Sequence, residues 1–323
     1  MIQLIIVVIL GFVVSAVLTG IEIPILKGKQ FRQFIREEGP QSHLSKQGTP
    51  TMGGLAIYAA LLAVTVGGTV IVTGKLTTDA IVMLAVTFLF GAIGFFDDYI
   101  KVAKKHNLGL RAWQKLVLQI LFAVGLAVYM ANYSGYGTDV WIPFVDLYVD
   151  FGWMYIPFVA FVVVAMANAV NLTDGLDGLS SGVTALVAFF FGIVGMQFGH
   201  DSASVFCCAL AGACLGFLLF NKFPAKLFMG DTGSMALGGA LASAAILMKV
   251  EFLLPIAGFI YVMEALSVII QVISFKLTGK RVFKMAPIHH HFEMCGMKEK
   301  HVVVMFWTIA LILCVIAYFI MAI

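Results

Sequence analysis

Five carboxylates stand where chemistry is easiest to imagine. Asp97 and Asp98 are adjacent in Phe95-Phe96-Asp97-Asp98-Tyr99. Asp174 and Asp177 close the run Asn168-Ala169-Val170-Asn171-Leu172-Thr173-Asp174-Gly175-Leu176-Asp177-Gly178. Asp231 lies in Phe228-Met229-Gly230-Asp231-Thr232-Gly233-Ser234. Paired acids with nearby Asn suit a hard, oxygen-seeking cation, and Mg2+ takes one or two carboxylates together with substrate phosphates. Adjacent carboxylates such as Asp97 and Asp98 repel each other unless a cation or a proton relieves them. The Gly230–Ser234 stretch lacks the Lys of a phosphate-binding P-loop. Its plainer use is an N-cap for the following helix, through Asp231 or Thr232. Asn168, Asn171, Asp174 and Asp177 recur every three residues and share one face if the helix continues that far. Gly175 and Gly178 instead favour a turn there, with backbone donors left free.

A second polar cluster is Pro287-Ile288-His289-His290-His291-Phe292-Glu293. Three consecutive imidazoles point in divergent directions and make a poor tridentate metal site. Beside Lys280, Arg281 and Lys284 they suit anionic phosphate better. Phe228 could stack on a base, although with 28 Phe in the chain a core or lipid contact is the stronger reading of the residue alone. Glu264 sits within a long apolar segment, where pairing with a polar neighbour on another helix is expected. Cys207, Cys208, Cys214 and Cys314 lie in apolar runs and Cys295 in a polar loop; none has disulfide or metal spacing, so free thiols are expected.

The elements that carry these residues follow from composition. Apolar residues make up 61% and charged residues 11% of 323 residues, with mean hydropathy +1.02. A soluble fold of this size has no core large enough for that much apolar surface, so lipid must solvate it. A span needs about 20 residues. Ten candidates arise, near 2–21, 52–73, 79–97, 114–131, 154–171, 179–198, 203–220, 233–249, 252–275 and 302–322. The first has no basic residue before it and reads as a retained span, not a signal peptide. Alternate loops hold 18 of the 20 basic residues, and only Lys75 and Lys249 lie on the other face. The basic loops are therefore expected in the cytoplasm, with both termini outside. All five carboxylates then fall at the cytoplasmic interface. A short extracytoplasmic hairpin is expected between the fourth and fifth spans, where 132–153 has no Lys or Arg and Asp146–Phe151 nearly alternates. One all-α transmembrane domain covers residues 1–323. The net charge of +3 is too small to argue for a nucleic-acid partner. A proton-relay transporter would place its acids at mid-bilayer and show repeated halves; here the clustered acids are interfacial and no repeat shows.

Taken together, these stretches resemble the polyprenyl-phosphate N-acetylhexosamine-1-phosphate transferase superfamily. The three aspartate-bearing stretches match its cytoplasmic signatures in order. Ala286–Glu293 resembles the form found in the phospho-N-acetylmuramoyl-pentapeptide transferase branch, as does Lys46-Gln47-Gly48-Thr49-Pro50-Thr51-Met52-Gly53-Gly54. The resemblance implies Mg2+-dependent transfer of phospho-MurNAc-pentapeptide from UDP-MurNAc-pentapeptide to undecaprenyl phosphate, giving lipid I and UMP. It also implies a homodimer in the bacterial cytoplasmic membrane. By resemblance, Asp231 holds the metal with Asp97 or Asp98, and Asp97 is the candidate base on the lipid phosphate; Asn168 and His289 join them as catalytic candidates. Uridine recognition maps to Asn171, Asp174, Gly175, Asn221 and Phe228, with Lys46, Thr51, Lys101, Asp177 and Gln271 nearby. Lys115, His290 and His291 face phosphate or sugar. A direct displacement and a covalent aspartyl-phosphate route both remain open, and a sibling branch that transfers GlcNAc-1-phosphate is the nearer alternative, which the histidine stretch disfavours.

Overall fold

A computed structural model describes residues 2–29, 46, 48–104 and 108–321. Arg32, Arg36, Gln47, Lys105 and Ala322, which figure in the charge pattern, the Lys46–Gly54 motif and the last expected span, lie outside the described residues. The described residues form helices joined by short loops, with one hairpin among them. In order come α1 (Ile2–Gly28), α2 (Gly54–Thr73), α3 (Thr78–Lys104), α4 (Ala112–Asn132), β1 (Asp139–Ile142), β2 (Leu147–Asp150), α5 (Tyr155–Thr173), α6 (Leu179–Gln197), α7 (Asp201–Asn221) and α8 (Gly230–Leu247). Then follow α9 (Leu254–Ala257), α10 (Phe259–Thr278), α11 (Ile288–Met294) and α12 (Glu299–Met321).

Among the described residues, nine helices are long and apolar enough to cross a membrane: α1 to α7, α10 and α12. The protein is thus a multi-pass helical membrane protein. α8, the eighth expected span, is not one of the nine. Its sequence, GDTGSMALGGALASAAIL, is rich in Gly, Ala and Ser, and every residue from Thr232 to Leu247 is buried. α2, α3, α5, α6 and α7 pack around it. A helix enclosed by other helices needs small residues for close approach more than bulky apolar ones for lipid. α10 shows the opposite pattern, with Leu266, Ile269, Ile270, Val272 and Ile273 exposed for lipid to cover.

The ninth expected span, 252–275, is interrupted. Pro255 stands at the start of α9, where its missing N–H breaks no helical bond. The break comes at Gly258, between α9 and α10. The expected hairpin is present, with Val140 paired to Val149 and Trp141 to Tyr148. Lys249 anchors it: its Nζ donates to the Gly137 and Asp139 carbonyls at 2.7 and 3.0 Å and to the Tyr155 hydroxyl at 3.0 Å. All five cysteines are free; Cys295 is exposed and the other four are buried.

Candidate active site at the aspartate end of the bundle

The site begins with the contact of α3 and α8. Gly94 lets the two backbones meet, because a Cβ there would overlap the Asp231 carbonyl. One turn further along α3, Asp97 and Asp98 consequently face the first turn of α8. Gly230 has φ +73, and a Cβ on it would stand 2.5 Å from Asp98 Oδ2, so glycine is needed both for the backbone and for the acid's room. The cap position of α8 is Met229, and no side chain caps it. Thr232 serves differently from the expected N-cap: its N–H and hydroxyl both donate to Asp98 Oδ2, at 2.9 and 2.8 Å.

Asp97, Asp98 and Asp231 each offer an oxygen, and these atoms lie within 4.8 Å of one another. Two lysines face them. Lys101 Nζ is 2.6 Å from Asp97 Oδ2 and 3.1 Å from Asp231 Oδ2. Lys115 Nζ is 2.9 and 2.6 Å from the same two oxygens. Asp97 Oδ2 is fully enclosed yet makes no well-aligned hydrogen bond, although both ammonium groups lie close. Its other oxygen accepts the Leu110 N–H at 2.8 Å. An enclosed carboxylate oxygen without an aligned donor, beside two further carboxylates and no sulfur or imidazole, fits a hard divalent cation. Without one, the ammonium groups neutralise the acids.

α5 supplies the next layer. Asn171 Nδ2 donates to Asp231 Oδ1 at 3.0 Å and to Ser234 Oγ at 2.9 Å. Asn168, one turn earlier, is turned toward α4 and donates to Gln119 Oε1 at 2.7 Å. α5 ends at Thr173, so Asp174 and Asp177 occupy a turn and not a helix face, and Gly178 has φ +81. Burial, then the negative charges of Asp231, Asp98 and Asp177, hold the Asp174 carboxyl well above the usual carboxylate range. Asp174 therefore faces the acidic cluster electrostatically, which a bound cation or a donor group from a ligand would relieve.

The remaining candidates divide between this cluster and its supports. Phe228 and Thr51 border it. The Phe228 N–H donates to the Pro50 carbonyl at 2.9 Å, and its own carbonyl accepts from Gly53 at 2.9 Å; the Phe228 side chain is half-buried and Thr51 is buried beside Gly230. Lys46 is paired with other acids. Its Nζ donates to Asp177 Oδ1 at 2.7 Å and to Glu299 Oε1 at 2.6 Å. Asn221 is spent inside the fold, accepting from Gly178 N–H and Ser181 and donating to the Leu227 carbonyl. Gln271 is likewise engaged with the loop before α11, accepting from Val282 and Phe283 and donating to the Phe283 carbonyl.

The three histidines separate as their spacing requires. His290 Nδ1 is 2.9 Å from Glu293 Oε2. His291 Nδ1 accepts the Lys284 N–H at 3.1 Å, and its Nε2 is 3.7 Å from Cys295 Sγ. His289 is fully buried, with Nδ1 3.0 Å from Glu264 Oε1. Four polar residues take part that were not singled out as candidates from sequence: Gln119, Ser234, Glu299 and Trp307, whose indole N–H donates to the Gly178 carbonyl at 3.2 Å. Gln119 carried a signal, as an amide within an otherwise apolar run. Glu299 and Trp307 carried none, being ordinary residues for the start of a span.

Comparison with known proteins agrees with this architecture. The family model for glycosyl transferase family 4 matches residues 80–249. Residues 46–57 match phospho-N-acetylmuramoyl-pentapeptide-transferase signature 1. A phospho-N-acetylmuramoyl-pentapeptide-transferase of Clostridium botulinum (strain Alaska E43 / Type E3) is 54% identical over 96% of this chain and 94% of its own. Relatives of the same name from Bacillus cytotoxicus and Bacillus licheniformis are 50% and 51% identical, over 96% and 97% of this chain and 95% and 96% of theirs. Likeness of that depth over nearly the whole length, with the aspartate-bearing helices inside the matched region, places the chain in the phospho-N-acetylmuramoyl-pentapeptide-transferase family of membrane enzymes, within glycosyl transferase family 4.

Proposed function

We propose that this enzyme transfers phospho-MurNAc-pentapeptide from UDP-MurNAc-pentapeptide to undecaprenyl phosphate, releasing UMP and forming lipid I, at the cytoplasmic face of a bacterial membrane. The observation that carries this is the convergence of Asp97, Asp98 and Asp231 with Lys101 and Lys115 at one end of the bundle. One substrate is a soluble anion and the other a lipid whose phosphate lies at the headgroups. They can meet only at a membrane surface, and an interfacial charged cluster suits that meeting. The chain crosses ten times in this account, with α8 as the enclosed tenth span, both termini outside, and the hairpin on the outer face. The uneven loop charge supports that orientation. Assembly as a homodimer belongs to the same proposal.

The chemical obstacle is bringing a phosphate nucleophile onto a diphosphate when both are negative. Phosphoryl transfer relies on positioning and on electrostatic stabilisation. Lys101 and Lys115 reach the carboxylates with flexible stems, so each can turn from a carboxylate toward an incoming phosphate oxygen. Asp97, Asp98 and Asp231 would hold Mg2+, which when bound offsets the charge of the diphosphate. Asn171 fixes the Asp231 carboxylate, and Thr232 fixes that of Asp98. A phosphomonoester has a second pKa of about 6, so the lipid phosphate needs little help from a base at neutral pH; in this account Asp97 would take the remaining proton. The Asp174–Gly175 turn and the half-buried Phe228 ring form the side where the uridine would dock. One phosphoanhydride is broken and one made, so the reaction should run in both directions.

The test uses detergent-purified protein with undecaprenyl phosphate and UDP-MurNAc-pentapeptide. UMP release should require Mg2+ and disappear in Asp231→Asn. UDP-GlcNAc in place of the donor should release none. Equal turnover of the two donors would move the protein to a sibling activity, and metal-independent release would contradict the role given to the acids.

A further inference from the structure

Outside the aspartate cluster, one buried carboxyl–imidazole pair has no role in the chemistry just described. Glu264 lies on α10 and His289 on α11, and both side chains are wholly buried. His289 Nδ1 stands 3.0 Å from Glu264 Oε1. Neither side chain makes an aligned hydrogen bond among the described residues, so each is the other's close electrostatic partner, and the His290 ring packs edge-on against His289 with centroids 4.1 Å apart. A carboxylate and an imidazole enclosed in this way constrain each other. Turning the ring away would leave both groups unmet in apolar surroundings.

The orientation has a consequence at the far edge of the ring. With Nδ1 turned to Glu264, Nε2 points the other way, and it lies against Gly175. A Cβ on Gly175 would overlap Nε2 and Cε1 of His289. Gly175 follows Asp174 in the turn between α5 and α6. A continuous line of contact therefore runs from an α10 carboxylate, through one imidazole, to the aspartate turn. Metal sites use the same arrangement when an outer carboxylate fixes the face of a ligating histidine.

We propose that Glu264 is a positioning residue: by holding the His289 ring it sets the Asp174–Gly175 turn, and so sets the affinity for the uridine nucleotide of the donor. This rests on the proposed function, in which that turn receives the uridine.

The experiment measures UMP binding to the detergent-purified full chain by calorimetry, with thermal unfolding recorded for every variant. Glu264→Met and Glu264→Ala remove the acceptor, whereas Glu264→Gln keeps one. The truncations should weaken UMP binding about tenfold, and Glu264→Gln should stay within about threefold of wild type. In a His289→Ala background the same truncations should change binding by less than about twofold, because the coupling acts through the ring. Equal weakening in both backgrounds overturns the proposal, as does unchanged binding in the truncations or a Glu264→Gln as weak as Glu264→Ala. Failure of both truncations to fold, beside a Glu264→Gln that folds and binds normally, also overturns it, since the carboxylate then serves stability alone. A wild-type chain that does not bind UMP sinks the proposed function itself, which is a different result from binding that ignores Glu264.

Discussion

The two ends of the helical bundle each hold lysines beside carboxylates, and they use them differently. At the hairpin end, Lys249 spends its three donors on the Gly137 and Asp139 carbonyls and the Tyr155 hydroxyl, and lies 4.1 Å over the Tyr155 ring. Glu251 is buried beneath, with the Tyr155 hydroxyl 3.5 Å away. At the aspartate end, Lys101 and Lys115 share the same two carboxylate oxygens and, among the described residues, donate to no backbone carbonyl. The first arrangement is saturated by the fold and closes a turn. The second neutralises charge provisionally, on partners that a ligand can replace. What a buried ionic group does is therefore read from where its donors end: on main chain it braces the fold, and on other ionisable side chains at an open edge it is available for chemistry.

Four substitutions sharpen that contrast. The largest effect is expected from Asp231→Asn, which removes one negative charge from the shared site; UMP release should fall about 10^3-fold with the thermal midpoint nearly unchanged. Lys115→Ala and Lys101→Ala come next, each lowering turnover about 10^2-fold, measured with both substrates saturating. If either lysine variant instead lost stability and kept turnover, the two ends would be alike. Lys249→Met should show the reverse pattern. Stability should drop by about 1–2 kcal/mol through lost hydrogen bonds to partly exposed acceptors, while the folded fraction turns over within about twofold of wild type.

The most gradual effect concerns pH. Burial pushes the Glu251 carboxyl up to about 7 from an ordinary 4.5. A raised carboxyl pKa means that the folded state holds its proton more tightly than the unfolded state. The associated stability is complete below about pH 4.5 and declines as pH rises toward 7, by at most about 3 kcal/mol. Glu251→Gln stays neutral throughout. Its thermal midpoint should therefore match wild type near pH 5 and exceed it increasingly up to pH 7, with a constant gap above that. A gap of the opposite sign would show that Lys249 keeps Glu251 ionised.

Much of the fold was legible because lipid imposes a coarse rule. Long apolar runs announced nine of the helices, and the basic-free stretch from 132 to 153 announced the hairpin. α8 was legible as a segment yet differs in kind, since a helix with no lipid contact is selected for small residues and not for hydropathy. The break at Gly258 is not legible in the sequence, because Pro255 stands at a helix start, which it does not break, and a lone glycine in an apolar run has many uses. The acidic cluster could be proposed from Asp97, Asp98 and Asp231 alone, since adjacent and interfacial acids need a reason. Their mutual approach could not, because it depends on Gly94 letting α3 and α8 touch, and a glycine in an apolar run has many uses. Glu264 was expected to find a polar partner on another element; that this partner is His289, and that the ring ends against Gly175, needed coordinates. Lys46, Asn221 and Gln271 show the limit from the other side. Their types suit ligand contacts, yet here their polar atoms hold Asp177, Glu299 and the backbone of neighbouring loops.

The central claim is that three carboxylates from α3 and α8 gather one divalent cation. Mn2+, which prefers the same oxygen donors as Mg2+, can report on it by anomalous diffraction from crystals soaked with the ion. A single strong peak bounded by Asp97, Asp98 and Asp231, absent in Asp231→Asn, is the expected result. A peak confined to another part of the molecule, in crystals of enzyme that turns over with Mn2+, would contradict it.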